Sequence, residues 1–248
     1  SLAGIERNGY LDEVDGLTAD AVTRAYARMV EQAQIEVFVL GADVDAVAQR
    51  LRTALSGLRR APEELPAPIA MPAEEPRSFE EPLPTVQGKL CMLFTRGTTE
   101  ALPSIHLLRV AMGLLGGSAT SRLFRNVREK QSLCYYCGSS AVRATGVMMV
   151  DSGVEPGGEA KAEAAILKEL DDLQKAPATA EELEQCRLAL LGSIDAVGDS
   201  LAGLESWYYG ALLRGEEPVT PEQGKALTAA VTAEQVQQLL HRRRNRKS

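Results

Sequence analysis

The stretch Gly116-Gly117-Ser118-Ala119-Thr120-Ser121-Arg122-Leu123-Phe124-Arg125-Asn126-Val127-Arg128-Glu129-Lys130, followed after Gln131-Ser132 by Leu133-Cys134-Tyr135-Tyr136, changes character twice. Its paired glycines end an apolar helical pattern over Leu102–Leu115, since glycine accepts the open backbone that closes a helix. Ser118 or Ser121 offers a capping hydroxyl for a second helix running through Lys130. Two strand patterns follow, Leu133–Val142 and Val147–Val154, joined by a short turn around Arg143–Gly146. Two helices feeding a hairpin set the local theme.

Working outward, Lys89–Thr95 reads as a strand. Helical patterns cover about Glu159–Gln174 and Ala180–Val197, continue through Tyr208, and recur near Ala233–His241. Long helices beside few strands predict a helix-rich α+β domain of two layers, with a mostly antiparallel sheet packed against helices.

Residues 17–60 read as helix, strand, helix. Thr18 is placed to cap a helix whose Ala21, Val22, Ala25, Tyr26 and Met29 share one face. The run Ile35-Glu36-Val37-Phe38-Val39-Leu40, closed by Gly41, suits a largely buried strand. Asp43 is positioned to cap a helix carrying Val44, Val47, Leu51 and Leu55. Residues 61–86 differ in kind. They hold seven of the 12 prolines, several glutamates and no periodicity, as an exposed connector does. The expected organisation is therefore 1–60, a connector over 61–86, and a main domain over 87–248.

A weak internal repeat links the ends. Leu17-Thr18-Ala19-Asp20-Ala21-Val22 resembles Val231-Thr232-Ala233-Glu234-Gln235-Val236, each with a threonine placed to open a helix. The first copy runs on into the apolar 35–40 segment, and the second into Arg242-Arg243-Arg244. Such a repeat implies the end of one unit joined to most of a second, which lacks its last strand. The edge so left is a place where residues 35–40 could pair. A start at Ser1 reads as a piece of a longer protein.

Composition narrows the function. Apolar residues make up 45% of 248 positions, enough for a real core, and no run is long enough to span a membrane. Without Arg242, Arg243, Arg244, Arg246 and Lys247, 22 Lys and Arg stand against 34 Asp and Glu, a charge of −12. Such a body does not suit a phosphate backbone, so nucleic acid is not an expected partner. Four cysteines, Cys91, Cys134, Cys137 and Cys186, make no disulfide scaffold and point to the cytoplasm.

Chemistry is marked first by an absence. The only histidines are His106 and His241, and neither has a second His or a carboxylate three or four positions away. HxxEH, forward or reversed, does not occur, so the sequence builds no zincin-type site and no metal ligand is expected. His106 falls in an apolar helical pattern and reads as structural. Cys134-Tyr135-Tyr136-Cys137 matches CxxC but falls in an expected strand, where residues three apart face opposite sides. Redox pairs open helices instead, so the motif is read as inert.

The quoted stretch resembles the second domain of the M16 metallopeptidases. That family carries a Gly-rich turn, a Ser-Arg-Leu-Phe helix, Arg-Glu-Lys at the helix end and Leu-x-Tyr opening a strand. The block Leu17–Leu58 resembles the close of the family's first domain, and Val86-Gln87-Gly88-Lys89 the start of the second. Arg-Glu-Lys-x-Ser-Leu-Cys-Tyr-Tyr is similar to bacterial homologues that have lost the zinc site and work beside an active partner. The resemblance implies a LuxS/M16 metallohydrolase-like fold. It also implies that zinc belongs only to a partner domain or subunit, and that an extended peptide is the substrate. The family's substrate-holding Arg and Tyr, seven residues apart, fall here on Arg128 and Tyr135. No catalytic residue is expected in this chain. A purely scaffolding M16 homologue is the alternative.

The residues themselves allow a gripping role, beside the alternative that Arg128 only complements its helix dipole and Tyr135 fills a half-buried strand position. Arg128 lies near a helix end and Tyr135 near a strand start, so a short turn lets both converge. A guanidinium and a phenol O–H can each donate to a peptide carbonyl or to a forming oxyanion. Removing one such donor at an oxyanion site typically costs about 3–4 kcal/mol. Arg122, Lys130 and Tyr136 are secondary candidates for the same surface, and a free sheet edge beside them could take a peptide as an added strand.

Overall fold

A computed structural model describes residues 8–63, 75–82, 84–95, 103–142, 147–213 and 215–241. The 143–146 turn, residues 64–74 and 83 of the Pro-rich connector and the basic tail lie outside the described residues. The chain divides into two compact units, Ser1–Ala67 and Pro68–Ser248.

The first unit holds a single turn α1 (Leu11–Val14), then α2 (Ala19–Gln32) and α3 (Val44–Leu55). Thr18 caps α2, its hydroxyl accepting from the Ala21 N–H at 3.2 Å. The Asp43 side chain makes no such bond, although α3 begins where expected. Residues 60–63 fold back on the end of α2, where the Ala61 and Glu63 N–H groups donate to Glu31 and Gln32 carbonyls at 2.9 Å. None of the described residues here is buried. The expected strand over Ile35–Leu40 is not one, because a strand exists only through a ladder partner and the described residues offer none. Ile35 and Val37 are exposed. Among the described residues the segment joins no sheet.

The second unit is an antiparallel sheet covered on one face by helices. Its strands are β1 (Gly88–Phe94), β2 (Tyr136–Val142) and β3 (Val147–Val154), in the order β1-β3-β2. The helices are α4 (Ile105–Leu115), α5 (Leu123–Lys130), α6 (Glu159–Lys175), α7 (Ala180–Asp195, extended by a 3-10 turn at Ala196–Asp199), α8 (Leu201–Leu213), α9 (Pro221–Ala229) and α10 (Ala233–His241). Among the described residues no helix is long and apolar enough to cross a membrane.

Alternation along the strands sorts the two faces. Leu90, Met92, Phe94, Cys137, Met148 and Val150 face the helices and join one core with Leu115, Leu123, Val127, Ile166, Leu173 and Leu240. The opposite face carries Lys89, Cys91 and Leu93 into solvent.

Local chemistry explains where these elements start and stop. Ser104, Thr179 and Thr220 cap α4, α7 and α9, the last two as complete capping boxes with Glu182 and Gln223. Thr232 caps α10 as Thr18 caps α2, accepting from Gln235 N–H at 3.2 Å, so the two repeat copies share their cap geometry. Neither Ser118 nor Ser121 caps α5. Ser121 Oγ instead donates to the Ser118 carbonyl at 2.6 Å, and the Ser118 hydroxyl pairs with that of Thr120 at 3.0 Å. Helix α5 is wound as a π-helix, wider than the α-helix its pattern suggests. β2 begins at Tyr136, not Leu133, because the turn after α5 takes Ser132 through a positive φ of 51°.

Candidate functional site

The corner between α5 and β2 brings Arg128 and Tyr135 to one end of the sheet. It is closed by backbone bonds from Ser132 N–H to the Arg128 carbonyl at 3.0 Å and from Leu133 N–H to Val127 at 3.1 Å. Beneath it Leu123 and Val127 are fully buried, so one side of α5 is anchored while its Arg128 side faces outward. Tyr135 is fixed through its backbone, its N–H donating to the Gly153 carbonyl at 2.8 Å.

Neither functional group is sealed in the interior. The Arg128 side chain is 38% exposed and Tyr135 is 53% exposed. The Arg128 guanidinium lies 4.5 Å from the Phe124 ring centroid, a cation–π contact from one turn earlier. It also stands 3.6 Å from Glu129, a loose and solvated pairing. The Tyr135 hydroxyl donates to Glu155 Oε1 at 3.5 Å, at the outer limit of a hydrogen bond. Among the described residues no bond joins the pair; Arg128 keeps N–H donors toward solvent, while the single Tyr135 O–H is engaged only by the long bond to Glu155. Phe124 and Glu155 thus orient the candidate pair, and reasoning from sequence missed both. The four-residue spacing of Phe124 and Arg128 was the available signal for the first. Nothing in the sequence marked Glu155.

Two neighbouring readings change. Arg122 is not available to a ligand, because its Nε and Nη2 bind the two Glu182 carboxylate oxygens at 2.9 Å each and tie α5 to α7. The β2 edge is not free along its length. Ser139 N–H donates to the Gly116 carbonyl at 3.3 Å, and Ser139 Oγ donates to Met112 O at 3.0 Å.

The CxxC pair also departs from expectation. Cys134 precedes the strand, so the alternation that separates residues three apart does not govern it, and its thiol interacts with that of Cys137. Burial, reinforced by Cys134, pushes the Cys137 thiol up to about 12, and burial pushes Cys186 up to about 11. Both stay protonated at neutral pH, the reverse of a redox-active cysteine.

His106 is buried, its Nδ1 3.0 Å from the Thr228 hydroxyl oxygen. Among the described residues no three His, Cys, Asp or Glu side chains gather in a way that could hold a metal ion.

The chain is similar in sequence and in fold to several known proteins. A "probable inactive metalloprotease" of Bacillus subtilis, YmfF, is 27% identical over 206 residues, 82% of this chain and 48% of that protein. An "uncharacterized zinc protease" of Streptomyces coelicolor, SCO5738, is 30% identical over 165 residues, 60% of this chain and 34% of that protein. The chain thus spans about half the length of the first relative and a third of the second. Among solved structures, a conserved protein of Enterococcus faecalis superposes with a TM-score of 0.82 at 24% identity, covering 96% of this chain and 56% of that one. A peptidase M16 inactive domain of Pseudomonas fluorescens gives 0.70 at 19%, covering 97% and 58%. The family model described as the peptidase M16 inactive domain matches residues 16–190, and the chain belongs to that family.

Proposed function

We propose that this inactive M16-type domain holds an extended peptide for a zinc-bearing M16 domain or partner subunit, with Arg128 and Tyr135 as the gripping pair. The observation that supports this is that the two donors flank one anchored corner and both stay accessible. A guanidinium braced on Phe124 can turn its free N–H groups to backbone carbonyls, and the phenol can exchange its long bond to Glu155 for a shorter one to a carbonyl. The zinc belongs to the partner, and the reaction is peptide hydrolysis completed there.

The domain organisation follows the same reading: 1–60 closes a preceding M16-type domain, 61–86 connects, and 87–248 is the second domain. The absence of any buried residue among 8–63 supports it, as does a family match that begins at residue 16. Four free thiols support a cytoplasmic setting.

The test is fluorescence anisotropy of a labelled, unstructured peptide titrated with the protein. Arg128→Ala and Tyr135→Phe weaken binding at unchanged melting temperature if the reading holds. Unchanged affinity in both variants, or no binding by the parent protein, leaves a scaffold and overturns it. The protein alone with added zinc cleaves nothing. Cleavage abolished by chelator and restored by zinc would contradict the proposal.

A further inference from the structure

The open face of the sheet presents three rows of contrasting chemistry. The register aligns Lys89, Gly153 and Tyr136 in the first row, and Cys91, Asp151 and Gly138 in the second. Leu93, Met149 and Ser140 form the third. The first row is built rather than incidental. A Cβ on Gly153 would stand 2.5 Å from Tyr136 Cε1, so the tyrosine ring lies across the glycine. Lys89 Nζ is 4.9 Å from that ring centroid, 2.9 Å from Gln87 Oε1 and 3.4 Å from the Tyr136 hydroxyl. Lys168, Lys175 and Lys225 pair with carboxylates, whereas Lys89 meets only neutral oxygens among the described residues. It is a positioned cation with an N–H to spare.

Asp151, half-buried, supplies the opposite charge one row on beside Gly138, where even an added Cβ would only touch Asp151 Oδ1, at 3.6 Å. Leu93, 63% exposed, opens an apolar patch one row further. Rows two residues apart are separated by about 6.7 Å, which is also the i to i+2 spacing of an extended peptide. Resting on the peptide-holding reading, we infer that this face reads an extended peptide bearing an acidic, a basic and an apolar side chain at alternate positions. The acidic group meets Lys89 beside Tyr136, the basic group meets Asp151, and the apolar group lies on Leu93 and Met149. The small residues Gly138 and Ser140 let a second backbone approach closely.

Labelled peptides with the pattern acidic-x-basic-x-apolar, in both chain directions, are titrated against the protein beside versions with the two charges exchanged. One direction of the first pattern binds more tightly, by about tenfold over its charge-exchanged version. Lys89→Glu abolishes the preference at the acidic position, and the double variant Lys89→Glu, Asp151→Lys reverses it, with thermal melts verifying folding. Peptides that bind equally in every charge arrangement overturn this inference and leave the gripping pair standing. Absence of binding for all peptides removes the underlying reading as well. A concentration-dependent dimer in sedimentation that excludes peptide would assign the face to a second copy and overturn it.

Discussion

The guanidinium of Arg122 forks onto both oxygens of Glu182, joining residues 60 positions apart at 2.9 Å on each arm. Glu182 serves two masters, since its carboxylate also accepts the Thr179 N–H at 2.9 Å in the capping box of α7. Burial works against its ionisation, but hydrogen bonds from Arg122 and Thr179 outweigh that and hold it below the ordinary carboxylate value. A depressed carboxylate contributes stability that is present above its unfolded value of 4.5 and is lost as pH falls through the folded one. Arg122→Ala therefore costs about 1–3 kcal/mol at neutral pH. The gap between variant and parent narrows in acid. Urea titrations at pH 7 and pH 3 measure both effects, and a gap that stays constant would show the pair is not the source.

Gly116 lies where only hydrogen fits. A Cβ there would stand 2.7 Å from Ser139 N and 3.0 Å from the Gly138 carbonyl carbon, backbone atoms that cannot swing aside. Gly116→Ala is expected to cost about 1–3 kcal/mol through overpacking. Because the Gly116 carbonyl covers the β2 edge at Ser139, amide exchange at Ser139 should accelerate more than at Val150 in the neighbouring strand. Equal acceleration at both sites would mean the damage is global.

The helix-to-hairpin theme was legible because its signals are local. Paired glycines ended α4 at Leu115, and alternation set β3 at Val147–Val154. What escaped the sequence depends on partners or on small changes of winding. Ile35–Leu40 has strand composition, yet composition supplies no second strand. The wide winding of α5 and the positive φ at Ser132 shift the start of β2 by three residues, which leaves Cys134 outside the strand's alternation. Helix α9 was missed although Thr220-Pro221 followed by Gln223 is a capping box with proline at the first helical position. The Lys89–Tyr136 row needed the register, which no single strand encodes.

The four thiols should separate cleanly in a timed alkylation. Each pH unit below a thiol's pKa cuts its thiolate tenfold, so at pH 8 Cys137, at about 12, is in that form roughly once in ten thousand. Cys186 is held similarly at about 11 and is buried with its Sγ 3.7 Å from the Val110 carbonyl oxygen. Cys91 is exposed on the open sheet face and Cys134 is partly so. Mass spectrometry of iodoacetamide-treated native protein is expected to show Cys91 modified first, then Cys134, with Cys137 and Cys186 labelled only on denaturation. Early labelling of Cys137 would place it on the surface and reopen a redox role for the motif.

The buried pair His106 and Thr228 fixes a direction for its hydrogen bonds. The Thr228 hydroxyl donates to the Gly224 carbonyl at 2.8 Å, so its oxygen must accept the bond from His106 Nδ1–H at 3.0 Å. Thr228 is fully buried, and the pair ties α4 to α9. Thr228→Val keeps the shape but leaves the imidazole N–H without its acceptor, at a cost of about 1–3 kcal/mol. Thr228→Ser retains the hydroxyl and loses only a methyl group, so its cost should be the smaller. The double variant His106→Phe, Thr228→Val removes donor and acceptor together, and should be more stable than the sum of the separate losses predicts. A double-mutant cycle by chemical denaturation measures the coupling. If the losses simply add, the two side chains pack without a functional hydrogen bond, and the cohesion of α4 with α9 rests on apolar contact alone.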